Sequence, residues 1–340
     1  MEIDLYKPIT NPNVYFLFRY IMRCGYEFRA YGPPVDVMDC ITIKEHPEKW
    51  YFAPRTPPNI HTLDQHIDFV NSLKLEKALL ILESNIKFIT RCPTLRHVNI
   101  ILSETADDGL DYSPLYEMRN IRDLNCRTVY GARDEKHTTI DYSYMPWLER
   151  VCISNKWHRN FQTLPNLKSL TLYRHKSESL NGVFCSRQLD TFSMIRCGIR
   201  SLDGIEHSPK MQCLYIYDDR RLSDISALEK VSGTLKHLHI ENCPKITDFS
   251  VLEKLENLEY LHLWGSNTIP NLGFLKNLKK LTYFNFEVNV ADGDLTPCFN
   301  IPCVCCKNRR HYNFKSSELP SSRTILYGNE DLDSWRRICR

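Results

Sequence analysis

Three histidines and a glutamate within one short stretch of the sequence have side chains that bind transition metals. His237, His239 and Glu241 alternate along one segment, and His262 follows in the next. Imidazole nitrogens and a carboxylate oxygen form the three-ligand sets of many zinc enzymes. In an extended strand, however, residues two apart lie about 7 Å apart and their side chains run parallel, which disfavours a shared ion. We therefore interpret these histidines as part of a binding surface. A metal-dependent enzyme or sensor that uses His237, His239 and His262 is the alternative.

Four cysteines near the C-terminus are the second group with ligand chemistry. Cys298, Cys303, Cys305 and Cys306 lie within nine residues, and His311 is a further candidate ligand. A structural zinc site usually takes two Cys-x₂₋₄-Cys pairs, and this spacing supplies no clean second pair. Buried thiols in a C-terminal cap are the simpler interpretation. We therefore predict no metal ligand and no cofactor.

Motifs of catalysis are absent from the sequence. It contains no Gly-x₄-Gly-Lys-Ser/Thr phosphate loop, no Gly-x-Gly-x-x-Gly dinucleotide motif, no His-Glu-x-x-His and no Gly-x-Ser-x-Gly. The sequence therefore favours a protein that is not an enzyme.

The segments that must position these side chains follow a repeat. The stretch from Leu235 to Ile240 has the spacing Leu-x-x-Leu-x-Leu, and Cys243 follows three residues later. A single unit of this kind cannot bury its apolar edge, so each unit must stack on its neighbours. Ten units show similar spacing and begin at Lys77, Leu95, Ile121, Leu148, Leu167, Leu189, Met211, Leu235, Leu258 and Leu278.

Three phrases resemble the leucine-rich-repeat family: LPNLKSLTL at 164–172, LENLEYLHL at 255–263 and LKNLKKL at 275–281. The closest resemblance is to the short-helix type of bacterial and phosphatase-regulating repeat proteins. It implies an α/β leucine-rich-repeat solenoid, a curved right-handed coil with a parallel concave β-sheet and short helices or 3₁₀ turns on the convex face. It also implies a protein-interaction scaffold with no catalytic motif to carry over.

Alternation along each strand places positions three, five and seven of a unit on the concave face, opposite the core. In the later units these positions carry aromatic and histidine side chains, and aromatic residues are enriched where proteins bind one another. In this register Phe284 shares a column with Tyr217 and Trp264. We predict that a partner protein binds here, and recognition of a carbohydrate by the aromatic face is a further alternative. The predicted binding residues are Tyr215, Tyr217, His237, His239, Glu241, Tyr260, His262, Trp264 and Phe284.

The chain outside the repeats is expected to cover the ends of the solenoid. Residues 1–76 are assigned to an N-terminal capping region, 77–286 to the solenoid and 287–340 to a C-terminal cap.

Three helices are predicted in these caps. One spans Asn13 to Arg23. A second begins behind the N-cap Thr62 and has Ile67, Phe69, Val70 and Leu73 as its apolar face, and a third lies between Asp331 and Cys339.

Composition limits the partners and the compartment. The chain has 44 basic and 41 acidic residues and a formal net charge of +3, which argues against a dedicated nucleic-acid binder. Met1-Glu-Ile-Asp4 lacks the positive start of a secretory signal, and the apolar run from Val14 to Met22 is too short to span a bilayer. Most of the 14 cysteines fall at apolar or turn positions, which favours free thiols in a reducing compartment. We expect a cytoplasmic protein that binds neither nucleic acid nor membrane and is a monomer or self-associates weakly.

Overall fold

The computed structural model describes residues 41–44, 62–82, 85–102, 110–128, 139–153, 158–184 and 186–320. The chain divides into two compact units, Met1–His175 and Lys176–Arg340. Both units contain short parallel strands joined by return segments, so the predicted leucine-rich-repeat solenoid is confirmed. The helices predicted over Asn13–Arg23 and Asp331–Cys339 lie outside the described residues.

In its described residues, the first unit combines an α-helix with a row of parallel strands. Helix α1 (Leu63–Ser72) begins behind Thr62, as predicted. The Thr62 hydroxyl accepts a hydrogen bond from the backbone N–H of Gln65, whose side chain accepts one from the N–H of Thr62. Of the predicted apolar face, Ile67 and Val70 are buried, whereas Phe69 is partly exposed and Leu73 is 38% exposed. The strands, in sheet order, are β1 (Ile41–Lys44), β2 (Lys77–Leu82), β3 (His97–Leu102), β4 (Asp123–Thr128), β5 (Arg150–Ile153) and β6 (Ser169–Tyr173).

The second unit continues the same pattern. Its main sheet has the order β7 (Thr191–Ile195), β8 (Cys213–Tyr217), β9 (His237–Glu241), β10 (Tyr260–Trp264), β12 (Tyr283–Phe286) and β14 (Cys303–Cys306). Strands β11 (Thr268–Ile269) and β13 (Asn289–Val290) form a separate parallel pair. Strands β1 and β14 fall in the stretches that the sequence assigns to caps, and the assignment of those stretches as caps stays a prediction.

None of the helices within the described ranges has the length and the apolar character needed to cross a membrane.

Short 3₁₀ turns lie in the return segments, as the repeat pattern predicts. The 3₁₀ turns are Lys87–Arg91, Ser113–Glu117, Tyr142–Tyr144, Phe161–Thr163, Ile205–His207, Ser226–Val231, Ser250–Lys254, Gly273–Lys276, Thr296–Asn300 and Ser316–Glu318.

Positions four and six of each unit fill the core. On β9 and β10, Leu238 pairs with Leu261 and Ile240 with Leu263, and all four side chains are buried. Burying a leucine-sized side chain contributes about 1.5–3 kcal/mol, so the repeated pairs are the main source of stability.

The predicted register is wrong in the first unit of the repeat. Leu80 pairs with Ile100, which occupies position six of its own unit. The unit therefore begins at Leu75 and not at Lys77, with Ala78 at position four. The small side chain of Ala78 hides this frame in the sequence.

The predicted register is also wrong in the last unit. Phe284 pairs with Leu261 and Phe286 with Leu263, so the unit begins at Leu281 and not at Leu278. Leu278 and Leu281 are both apolar and three residues apart, and either one fits the first position. The structure selects the frame that buries two phenylalanine rings and turns the Tyr283 hydroxyl out of the core.

A recurring turn ends the strands of the second unit. Arg196, Asp218 and Asn242, each placed just after a strand, have left-handed backbones with φ of 53°, 52° and 53°. Polar side chains then bond the turning backbone. Asp219 accepts hydrogen bonds from the backbone N–H groups of Ile199 and Arg221.

Cysteines act at the same place in the units on either side of the Asp219 unit. The thiols of Cys197 and Cys243 donate to the carbonyl oxygens of Ile195 and Glu241. The Cys197 bond lies at the end of β7, and the Cys243 bond lies at the end of β9, where Glu241 lies.

Candidate functional site

The predicted site lies on one face of four neighbouring strands in the second unit. We call the side chains of β8, β9, β10 and β12 that point away from the core the strand face. They form three rows across strands spaced about 4.8 Å apart. The first row is Cys213, His237, Tyr260 and Tyr283; the middle row is Tyr215, His239, His262 and Asn285; and the third row is Tyr217, Glu241 and Trp264.

The first row is a stack of partly exposed rings. The ring centroids of His237 and Tyr260 are 5.8 Å apart with their planes at 24°. Those of Tyr260 and Tyr283 are 4.8 Å apart with planes at 4°. Stacked rings stabilise each other beyond their buried area, so these side chains are ordered before any partner binds.

The middle row contains two buried histidines. The ring centroids of His239 and His262 lie 3.9 Å apart with planes at 19°, and the two side chains are 5% and 9% exposed. Tyr215 lies beside His239, with a centroid separation of 6.3 Å. The prediction that His239 and His262 share a column is confirmed.

The third row covers these histidines. Tyr217 is only 3% exposed, and its ring centroid is 4.6 Å from that of His239. Trp264 is half-buried and stacks on His262 at 5.6 Å and 18°. Large side chains on adjacent strands thus bury one another. The rings that remain partly open to solvent are those of Tyr215, His237, Tyr260, Tyr283 and Trp264.

Glu241 converges with the two buried histidines. Its Oε2 atom lies 3.1 Å from Nε2 of His239. One ligand atom from each of His239, Glu241 and His262 can be chosen so that all three lie within 4.8 Å of one another. The expectation that side chains two apart on a strand stay separated is wrong for this pair, because the flexible glutamate bends toward the imidazole. His237 takes no part in this cluster and stacks on Tyr260 instead.

Burial keeps these histidines neutral. It lowers the pKa of His239 to about 3 and moves the pKa of His262 well below its usual range. The neighbouring His239 lowers the pKa of His262 further. Desolvation also lowers the pKa of the His237 side chain. The close contact between His239 and Glu241 is therefore a hydrogen bond that a neutral imidazole donates to the carboxylate at pH 7.

Several polar atoms of the strand face are buried and lack hydrogen-bond partners among the described residues. They are both ring nitrogens of His262 and the hydroxyl of Tyr217. Most buried polar groups in proteins are hydrogen-bonded, and each unpaired one costs about 1–3 kcal/mol. Burying the two unpaired nitrogens of His262 therefore costs folding free energy, and apolar packing gives no reason for a polar ring at this place.

One predicted site residue lies elsewhere. Phe284 is completely buried in the core beside Leu261, so it does not share a column with Tyr217 and Trp264. The shift of register explains this error, and it brings Tyr283 and Asn285 to the strand face in its place. The spacing Leu281-x-x-Phe284-x-Phe286 was the available signal. The other eight predicted residues all lie on the strand face.

A charged cluster in the first unit is absent from the predicted site residues. Asp123, 1% exposed, lies on β4 between His97 on β3 and Arg150 on β5. Its Oδ2 atom is 2.5 Å from Nδ1 of His97 and 3.0 Å from a guanidinium nitrogen of Arg150. All three residues occupy position three of their units, so the sequence could have shown that Asp123 lies between two basic residues. In this cluster the buried carboxylate of Asp123 contacts side chains on both neighbouring strands.

The C-terminal cysteines differ in exposure. Cys298 and Cys303 are buried, which agrees with the interpretation as buried thiols, whereas Cys305 is exposed and Cys306 partly so. Hydrogen bonds from Cys303 and Tyr283 lower the pKa of Cys305 to about 7. Across the described ranges, these cysteines do not form a group of three converging ligands as His239, Glu241 and His262 do.

Comparison with known proteins identifies the repeat. Residues 234–277, which include β9 and β10, match the family model for leucine-rich repeats in two copies. No curated protein sequence matches the chain significantly.

Several solved structures are similar at low sequence identity. An internalin (inlF) from Listeria monocytogenes is 15% identical, with 81% of this chain and 84% of that chain covered and a TM-score of 0.48. Internalin C2 from the same organism is 19% identical, with 66% and 84% covered and a TM-score of 0.40. A leucine-rich-repeat protein from Leptospira interrogans is 13% identical, with 89% and 82% covered and a TM-score of 0.35.

Proposed function

We propose that this leucine-rich-repeat protein is a non-enzymatic interaction module that binds a partner protein through the strand face, in a scaffold, regulatory or immunity-type role. The observation that carries the proposal is the first row of the strand face. There the rings of His237, Tyr260 and Tyr283 stack in order and stay partly exposed. A contiguous aromatic patch of this kind on a protein surface usually has a binding role.

The energetics of association support this use of the patch. Binding a partner costs free energy for each side chain that becomes ordered. The stacked rings already occupy fixed positions, so that cost is small here. Tyr and Trp side chains dominate the energetic centres of interfaces, and Trp264 and Tyr215 extend the patch beyond the first row.

The charge on the patch indicates which partner side chains fit it. Glu241 is partly exposed and lies between Tyr217 and Trp264 in the third row. An arginine of the partner can stack on an aromatic ring and pair with this carboxylate at the same time. We therefore propose a partner surface that presents arginine together with apolar side chains.

The compartment and the assembly state are part of the proposal. A cytoplasmic location is supported by the free thiols among the described cysteines. The nearly even charge balance of the chain supports a lack of nucleic-acid affinity. For the assembly state we propose a monomer or weak self-association. Light scattering after size-exclusion chromatography tests the assembly state directly.

The test of binding compares two double variants in a pull-down from the lysate of the source cell. Tyr260→Ala/Trp264→Ala removes two rings of the strand face. Tyr144→Ala/Phe299→Ala is the matched control, because it removes two rings that are 60% and 46% exposed elsewhere. The first variant should lose the partner, with affinity for the purified partner reduced about 30-fold or more, while the control retains it. Equal binding by both variants would refute the proposal.

A further inference from the structure

Three side chains of the strand face have the composition of a transition-metal site. His239 and His262 supply imidazole nitrogens, and Glu241 supplies a carboxylate oxygen. One ligand atom from each residue lies within 4.8 Å of the other two. Two nitrogens and one oxygen suit Zn²⁺ and its first-row neighbours, whereas Ca²⁺ and Mg²⁺ prefer sets of oxygen ligands. The donor set therefore selects the class of ion.

A second observation also points to a ligand at this place. The ring of His262 is more than nine-tenths buried, and neither of its nitrogens has a hydrogen-bond partner within the described part of the chain. Packing against His239 and Trp264 explains why a flat ring lies there, but it does not explain why the ring carries two polar atoms. A metal ion bound to one nitrogen would compensate for the hydration lost on burial.

The charge of the cluster also suits a divalent ion. Neutral imidazole is the commonest metal ligand in proteins. The Glu241 carboxylate adds the negative charge that offsets part of the charge of a divalent ion.

Binding of one ion requires the two rings to change orientation. Zinc lies about 2.0–2.1 Å from each ligand atom and close to the plane of each imidazole ring. The nearly parallel rings of His239 and His262 must therefore turn so that one nitrogen of each faces Glu241. This turn gives up the stacking of the two rings.

We infer that His239, Glu241 and His262 form a binding site for one divalent transition-metal ion, with Zn²⁺ as the preferred ion. Three protein ligands leave a fourth position, which in zinc sites of this composition is taken by water or by an exogenous group. Because Glu241 is partly exposed, that position is reachable from the strand face. Metal binding here does not depend on partner binding, and a bound ion takes the place of the proposed partner arginine at Glu241.

The test measures binding of Zn²⁺ alone to the chelator-treated full-length protein, by competition with a chromophoric chelator. His262→Phe keeps a stacked aromatic ring but removes both nitrogens. His237→Phe makes the same change on the same face outside the cluster and serves as the matched control. Glu241→Gln keeps the size of the side chain but removes its charge. Far-ultraviolet circular dichroism confirms that each variant is folded.

The wild type and His237→Phe should each bind one Zn²⁺ per chain with a Kd below about 10 µM. His262→Phe should bind at least about 100-fold more weakly, and Glu241→Gln at least about 10-fold more weakly. Replacement of zinc by Co²⁺ should show no thiolate-to-cobalt charge-transfer band, because no cysteine is a ligand. Weaker or non-stoichiometric binding by the wild type, equal binding by His262→Phe, or a thiolate band would overturn the inference.

Discussion

The imidazole rings of His239 and His262 lie stacked on neighbouring strands, with their centroids 3.9 Å apart and their planes at 19°. The Nε2–H of His239 donates a hydrogen bond to Glu241, while both ring nitrogens of His262 have no hydrogen-bond partner among the described residues. Two chemically identical side chains at equivalent positions thus have different environments. The difference makes His262 the more informative residue to change.

Replacing His262 by phenylalanine should not destabilise the metal-free protein. The ring packing on His239 and Trp264 is kept and two unpaired polar atoms are removed, so the free energy of unfolding should stay within about 1 kcal/mol of wild type or rise. Leu261→Ala, which truncates a core side chain next in sequence, should lose about 2–5 kcal/mol. Urea denaturation in the presence of chelator measures both. A loss of more than about 2 kcal/mol for His262→Phe would mean that the imidazole makes a stabilising hydrogen bond.

The Asp123 cluster should stabilise the first unit. Asp123→Asn keeps the shape of the side chain but removes the charge that faces His97 and Arg150, and we expect a loss of about 1.5–3 kcal/mol. The matched control is Asp64→Asn, which breaks an exposed ion pair with Arg91 at 2.7 Å. Exposed pairs contribute little, so the control should change stability by less than about 1 kcal/mol. Thermal or urea denaturation of the two variants provides the comparison, and equal losses would contradict the account.

Burial of His158 predicts a loss of stability in mild acid. This histidine hydrogen-bonds to the Tyr142 hydroxyl through Nδ1 at 2.8 Å, and burial lowers its pKa from 6.5 to about 4. Because the unfolded chain binds the proton more readily, the stabilising contribution is complete above pH 6.5 and declines as pH falls toward 4. The loss attributable to His158 should reach about 2 kcal/mol at pH 5.

A variant isolates this contribution from other titrating groups. His158→Gln removes the titration but keeps a hydrogen-bonding side chain at the same place. The difference in the free energy of unfolding between pH 8 and pH 5 should be smaller in His158→Gln than in wild type by about 2 kcal/mol. Identical pH dependence in the two proteins would show that His158 is accessible to protons in the folded state.

Cys305 should be a highly reactive thiol. It is exposed and its pKa is lowered to about 7, so about half of it is thiolate at neutral pH, and the thiolate is the nucleophile. Cys213, on the first row of the strand face, has a pKa raised to about 11 by burial and is the internal control. Brief alkylation with iodoacetamide followed by peptide mass spectrometry should label Cys305 well before Cys213. Labelling at equal rates would refute the assigned thiolate.

The regular part of the fold was predictable because its signal is local. From β3 to β10 the spacing Leu-x-x-Leu-x-Leu fixes which side chains face the core, and the columns that contain His239, His262 and Trp264 follow directly. The signal fails where the sequence allows two frames. Leu278 and Leu281 both fit position one, and only the packing of Phe284 and Phe286 decides between them.

The geometry within the candidate site was less predictable. Alternation places Glu241 and His239 on the same face, but side-chain rotation determines whether the carboxylate reaches the imidazole. Burial of Tyr217 likewise depends on how its ring packs on His239, which spacing does not encode. The Asp123 cluster, in contrast, follows from charges at one position of adjacent units and was within reach of the sequence.

Site-specific photocrosslinking tests most directly whether the strand face binds a partner protein. The photoreactive amino acid benzoylphenylalanine replaces Tyr283 in the first row of the strand face, or Tyr144, an exposed tyrosine in the first unit, as the control. After irradiation in the source-cell lysate, we expect one prominent covalent partner at Tyr283, with the crosslink mapped by mass spectrometry and absent at Tyr144. No crosslink at Tyr283, or the same products at both positions, would contradict it.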